Sequence, residues 1–239
     1  MQFLPHELSP QALKILKERY LAFLPDGSQE TPQEMFSRVA KEIGKADQKF
    51  GTAYHDPTKS FEYMMNQLYF LPNTPTLVNA GRNNGLGYAA CFVLPVGDSI
   101  DSIFNSVKNA AIIHKSGGGT GINFSSLRSN GSRVSTTSGV ASGPVSFMRV
   151  FDAATQAIKQ GGVRRGANMG LLSVHHPDLH EFLNCKRDGS ITNFNISVVI
   201  TESFMEALSL GSSYSIIDPT NNTTIGTRSA KEVWDALVD

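Results

Sequence analysis

Between Leu71 and Ile200 short β-type runs alternate with helical patterns, joined by glycine-rich turns. This alternation constrains the fold more than any other feature, because strands that alternate with helices pair mostly in parallel and build an α/β domain. The expected strands are Leu77–Asn79, Ala89–Leu94, Thr120–Phe124, Gly170–Val174 and Asn195–Ile200. The expected helices are Ser99–His114, Pro144–Gln160, Pro177–Leu183 and Glu202–Leu208. Residues 1–70 read instead as a helical lead-in. Ser9-Pro10 and Asp56-Pro57 are helix starts, with a capping side chain followed by proline at the first helical position. Thr31-Pro32-Gln33-Glu34 is a capping box. The expected organisation is therefore a helical region at 1–70 and an α/β region at 71–239. The closing segment Lys231–Val238 reads as a helix halted in mid-pattern, which points to part of a larger protein.

Charge and cysteine content narrow the function. Lys+Arg and Asp+Glu each number 21, so no general basic field attracts nucleic acid or an anionic membrane surface. No apolar run approaches the roughly 20 residues that span a bilayer. Two cysteines, Cys91 and Cys185, cannot form a disulfide scaffold or a four-cysteine metal site, and a reducing, cytoplasmic setting is expected. His175, His176 and His180 are close in sequence, but adjacent histidines on a strand face opposite ways, so no metal site is expected.

Two glycine-rich segments stand out. His114–Gly121 lies between a helix and a strand; its glycines let a ligand approach the backbone, although a tight structural turn is an equal reading. It is not a phosphate-binding P-loop, because Lys115 precedes the glycines. Gln160–Asn168 carries Arg164 and Arg165 between glycines, forked donors suited to phosphate or base edges. Cys91 sits in the apolar run Tyr88–Leu94 and by itself reads as a buried small hydrophobe.

Taken in order, Leu71–Leu77, Cys91–Pro95, Gly97–Ile100, His114–Gly121, Gln160–Asn168 and Asn193–Val198 resemble the large subunits of ribonucleotide reductases. The Lys-Ser-Gly-Gly-Gly-Thr-Gly and Arg-Arg-Gly-Ala-Asn-Met-Gly runs are closest in flavour to the adenosylcobalamin-dependent class. The resemblance covers essentially the whole chain. It implies the first half of a ten-stranded α/β barrel behind the helical region, and ribose 2′-deoxygenation by thiyl-radical chemistry. Cys91 matches the first reductant cysteine, which reverses its bland reading. Thr76 and Ala90 match positions beside the substrate, and Gly118 and Gly119 the loop whose backbone approaches it. Asp98, Ser99, Ile100, Lys115, Arg128, Gln160, Arg164 and Arg165 match the specificity site for a deoxynucleoside triphosphate or ATP effector.

The same resemblance implies a homodimer, a thioredoxin-type reductant and adenosylcobalamin. The second reductant cysteine, the radical-bearing cysteine and the carboxylate belong to the second half of the barrel, on the same or another chain. Without them this chain alone is expected to be inactive. Two alternatives stay open: a non-catalytic deoxynucleotide-binding remnant, and part of a class I large subunit.

Overall fold

The structure, a computed structural model, describes residues 6–51, 56–133, 139–158 and 166–238. Four helices open the chain, and a side-chain cap starts each one. Ser9 Oγ accepts from Ala12 N at 3.2 Å before α1 (Pro10–Arg19). At α2 (Pro32–Lys49) Glu34 N donates to Thr31 Oγ1 while Thr31 N donates to Glu34 Oε2, the reciprocal pair of a capping box. Asp56 caps α3 (Pro57–Asn66), and Asn73 caps α4 (Thr74–Asn79), where Thr76 N reaches Asn73 Oδ1 at 3.0 Å.

Helix α4 corrects the strand expected at Leu77–Asn79. Three apolar-flavoured residues do not separate strand from helix, whereas Asn-Thr-Pro is the same start signal as Ser9-Pro10. The correction moves a boundary too. Leu77 and Ala80 are buried with Leu21, Met35, Phe36, Val39, Ala40 and Met65 in the helical core. Arg38 clamps the segment there, donating to the carbonyls of Ala80 and Leu77 and to both carboxylate oxygens of Glu30. Burial raises the Glu30 carboxyl, but hydrogen bonds from Arg38 and Ala22 N outweigh it and leave the group below its usual range. Two compact units result, Met1–Ala90 and Cys91–Asp239, so residues 71–90 belong with the helices rather than with the α/β part.

The second unit holds β1 (Cys91–Leu94), β2 (Gly119–Asn123), β3 (Asn168–Ser173) and β4 (Phe194–Val199), all parallel and in sequential order. The crossovers are α5 (Ile100–Lys115), α6 (Gly143–Ile158) and α7 (Leu179–Asn184). Sequential order advances every crossover in one direction, and a common right-handed turn then puts all three helices on one face. The core bears this out. Ile103 and Ala110 of α5, Val145, Met148 and Phe151 of α6 and Phe182 of α7 pack on Ile122, Phe124, Leu172 and Phe194. A helix layer on one side only is how a parallel barrel is wound, and among the described residues the sheet stays open.

Helix α8 (Glu202–Ser209), the antiparallel hairpin β5 (Ser213–Ile217) and β6 (Thr224–Ser229), and α9 (Ala230–Val238) complete the described chain. They share a small core of Val174, Leu179, Phe204, Tyr214 and Ala230. The hairpin was not expected from the sequence.

Candidate functional site

Register decides which way Cys91 points. Side chains of directly paired strand residues share a face, and residues along one strand alternate. Leu94 pairs with Ile122, Ile122 with Gly170 and Gly170 with Ile196, which marks the helix-covered face. Cys91 is out of phase with these. It pairs with Gly119, while Val93 pairs with Gly121, Gly121 with Met169 and Met169 with Asn195, so all six lie on the open face.

The thiol is exposed, which overturns the reading of Cys91 as a buried hydrophobe. Beside it β2 contributes no side chain at Gly119 or Gly121, and a Cβ on Gly121 would meet only Met169 Cβ, at 3.9 Å. The result is a trough floored by backbone, with a thiol on one wall. Ser173, Asn195 and Ser197 share its face through the β3–β4 register. The sequence reading quoted Gly121, Met169, Asn195 and Ser197 within its motifs but gave them no individual role; the period-2 alternation places them on this face only once the register is known.

Gly118 is closely packed on the side where a Cβ would stand. Its Cβ would fall 2.7 Å from Ile113 Cγ2 and 2.9 Å from the Phe92 ring. Behind the trough lies a closed polar network. His114 Nε2 lies 3.2 Å from Thr120 Oγ1, which donates to Asn168 Oδ1; Asn168 Nδ2 donates to Thr155 Oγ1 at 2.8 Å. All four residues are buried, and burial pushes the His114 imidazole below its ordinary pKa, partly offset by a hydrogen bond to the Ala167 backbone.

At the other edge of the sheet Asp98 and Ser99 precede α5. Asp98 accepts from Arg128 twice, from the backbone N at 3.1 Å and from Nε at 2.7 Å. Ser99 caps α5 through Ser102 N, and Ile100 is exposed in its first turn. Asp98, Ser99, Ile100 and Arg128 thus come together, but Lys115 does not join them. It ends the same 16-residue helix, about 22 Å away at the edge that carries Cys91. Gln160, Arg164 and Arg165 lie outside the described residues.

Thr76 and Ala90 belong to the helical unit. The Thr76 hydroxyl lies 2.7 Å from Asn73 Oδ1 and 3.0 Å from Tyr88 O, and Thr76 rims an apolar cleft of about 340 Å³ lined by Val39, Phe61 and Met64. Cys185 is buried on the helix-covered side of the sheet, and burial pushes its thiol pKa up. His175 and His176 follow β3 in a turn rather than on a strand. The His175 ring contacts Ser215 O and Thr201 Oγ1, and His176 Nε2 contacts Leu127 O. Among the described residues no three His, Cys, Asp or Glu side chains converge as metal ligands, and no helix is long and apolar enough to cross a membrane.

Residues 6–85 match the family described as the ribonucleotide reductase all-alpha domain, and residues 89–238 match the ribonucleotide reductase barrel domain. A vitamin B12-dependent ribonucleoside-diphosphate reductase of Thermoplasma acidophilum is 40% identical, with 98% of this chain and 38% of the relative aligned. The Mycobacterium tuberculosis protein of the same description is 38% identical over 97% of this chain and 34% of its own length. A vitamin B12-dependent ribonucleotide reductase of Streptomyces coelicolor is 30% identical over 98% of this chain and 28% of its own length. The chain therefore spans about a third of the length of these relatives. Two domain matches in the order of the two structural units, an all-helical one and a parallel α/β one, place this chain in the ribonucleotide reductase family.

Proposed function

We propose that this chain is the N-terminal portion of an adenosylcobalamin-dependent ribonucleotide reductase, with Cys91 as one of the two thiols that reduce the ribose 2′ carbon. The observation that carries the reading is the register that sets an exposed Cys91 beside Gly119 and Gly121 on the uncovered face of the sheet. A sugar can lie there against backbone, with the thiol at its edge. Per turnover the 2′-hydroxyl leaves as water, and the two electrons come from two thiols that become one disulfide. Cys185 cannot be the second thiol, because it is buried in the core on the opposite side of the sheet. That thiol, the radical-bearing cysteine and the carboxylate belong to the second half of the barrel, on the same or another polypeptide. A thioredoxin-type dithiol would then reopen the disulfide.

The relatives' dependence on vitamin B12 supports adenosylcobalamin as the cofactor, which supplies the radical that begins the reaction. No residue of this chain is assigned to hold it. Asp98, Ser99, Ile100 and Arg128 form the effector end, where a deoxynucleoside triphosphate would meet the Arg128 guanidinium and the first turn of α5. Exposed Ile100, Phe104 and Ile112 lie along one side of α5 and support pairing with a second copy.

The test combines the native polypeptide with the second-half polypeptide, adenosylcobalamin and a dithiol, and follows deoxynucleotide formation. Sustained turnover is expected, with Cys91→Ser ending multiple turnover while nucleotide binding stays intact. Normal steady-state reduction by Cys91→Ser would remove the assignment. Effector binding without any turnover would favour a non-catalytic nucleotide-binding module.

A further inference from the structure

The segment 127–130, which carries Arg128, is held at both ends by a turn that follows the next strand. His176 Nε2 donates to Leu127 O at 2.9 Å, and Asn130 N donates to Asp178 Oδ2 at 2.8 Å. Between these two anchors Arg128 makes its paired contact with Asp98. The imidazole has no freedom in this arrangement. A carbonyl only accepts, so Nε2 carries the proton; Asp178 N donates to Nδ1 at 3.0 Å, so Nδ1 is bare. His176 is neutral, 2% exposed, and uses both ring nitrogens.

Two further features are shaped around this turn. Gly143, at the start of α6, has φ +78, and a Cβ there would fall 2.7 Å from Asp178 Oδ2 and 3.0 Å from Asn130 N. Only glycine leaves the Asp178–Asn130 contact in place. From the far side Arg228 of β6 donates to His176 O at 3.3 Å and to Pro177 O at 2.5 Å.

We propose that the His176–Asp178 turn is the positioning element of the effector end: it sets where Arg128 stands, and protonation of His176 releases that segment and weakens nucleotide binding. The proposal rests on the reading of Asp98 and Arg128 as effector contacts. A second ring proton at Nδ1 would face the N–H of Asp178 and break that contact. The charged groups facing the ring are Asp178 on its own turn, Arg228 on β6 and Asp218 in the β5–β6 connection; the carboxylates favour the cation and the guanidinium opposes it. Burial is the largest influence and holds the ring below its ordinary pKa, so release belongs to pH below the ordinary histidine value.

The experiment measures the affinity of the native polypeptide for dTTP and dGTP by equilibrium dialysis, from about pH 7.5 to about pH 4.5, through and below the ordinary histidine range. His176→Gln keeps a side-chain N–H for Leu127 O but cannot titrate. His176→Leu offers none. The wild type should lose about tenfold more affinity on acidification than His176→Gln, the effect of one buried hydrogen bond, since phosphate titration is common to both. His176→Leu should bind about tenfold more weakly throughout, and His176→Gln should restore the neutral-pH value. If His176→Leu fails to fold, the comparison with His176→Gln decides alone. Parallel pH curves for wild type and His176→Gln would overturn the positioning role. No nucleotide binding by the wild type at neutral pH would instead overturn the effector reading beneath it.

Discussion

At the amino edge of the parallel sheet Cys91 looks across Gly119 and Gly121, residues that contribute no side chains, while at the carboxyl edge Asp98, Arg128, His176 and Asp178 tie three loops together. The first edge makes room and leaves a thiol bare. The second fills its loops with fixed partners, the partly exposed Arg128 guanidinium among them. A reacting site must admit a sugar and let a sulfur move between redox states, whereas a recognition site gains from donors held before the ligand arrives. The amino edge is also backed by rigid material, because the His114–Thr120–Asn168–Thr155 network lies on the other face of the same strands.

The comparison breaks most easily at Gly121. Gly121→Leu should fold with a thermal midpoint close to the parent, since only Met169 Cβ lies within 4 Å of an added Cβ, yet lower turnover of the completed enzyme on the order of a hundredfold by filling the trough. A variant that turns over normally would mean that the substrate does not lie on this face. Gly166→Ala is the converse. Its Cβ would sit 2.9 Å from His114 Cγ and 3.0 Å from Thr155 Cγ2, both buried, so denaturant titration should show a loss of about 1–3 kcal/mol. Unchanged stability there would show that the network gives way readily.

Asp98→Ala tests the carboxyl edge. The Asp98 and Arg128 side chains are each 27% exposed, so the stability cost should stay under about 1 kcal/mol. The choice of nucleotide reduced under a given effector should shift more than the basal rate, and an unchanged preference would remove Asp98 from the effector end. The smallest effect is on stability against pH. His114 and His176 both have pKa values lowered in the folded state, so between the folded and unfolded values the unfolded chain binds more protons. Stability should therefore fall as pH drops below about 6.5, before the carboxylates Glu30 and Asp218 titrate at lower pH. Thermal midpoints across that window check it, and His114→Gln should flatten the slope.

Much of the architecture was legible because local chemistry announces it. Ser9, Thr31 with Glu34, and Asp56 stand where their caps form, and four of the five expected strands fall within two residues of their observed ends. Asn73 carried the same signal before a proline, but the apolar Leu77-Val78 pair drew the reading towards a strand. The β5–β6 hairpin was missed because its alternation, Ser213 to Ile217, is short and its connection runs through Asp218-Pro219 rather than a two-residue turn. In the candidate site, the motif around Cys91 was legible and the exposure of its thiol was not. Exposure follows from a strand register that no local pattern encodes. Lys115 was grouped with Asp98 through the family resemblance, and the structure sets the two at opposite ends of one helix.

The sequential order of the four parallel strands also bears on how the chain acquires its structure. Each new strand docks on the one synthesised just before it, with its crossover helix already made, so every pairing closes a modest loop. A sheet of this kind can grow from its first strand onward as the polypeptide leaves the ribosome, without waiting for a distant partner. At each stage the newest strand is a temporary free edge, and the interval before its neighbour arrives is when the nascent chain is most exposed to mispairing.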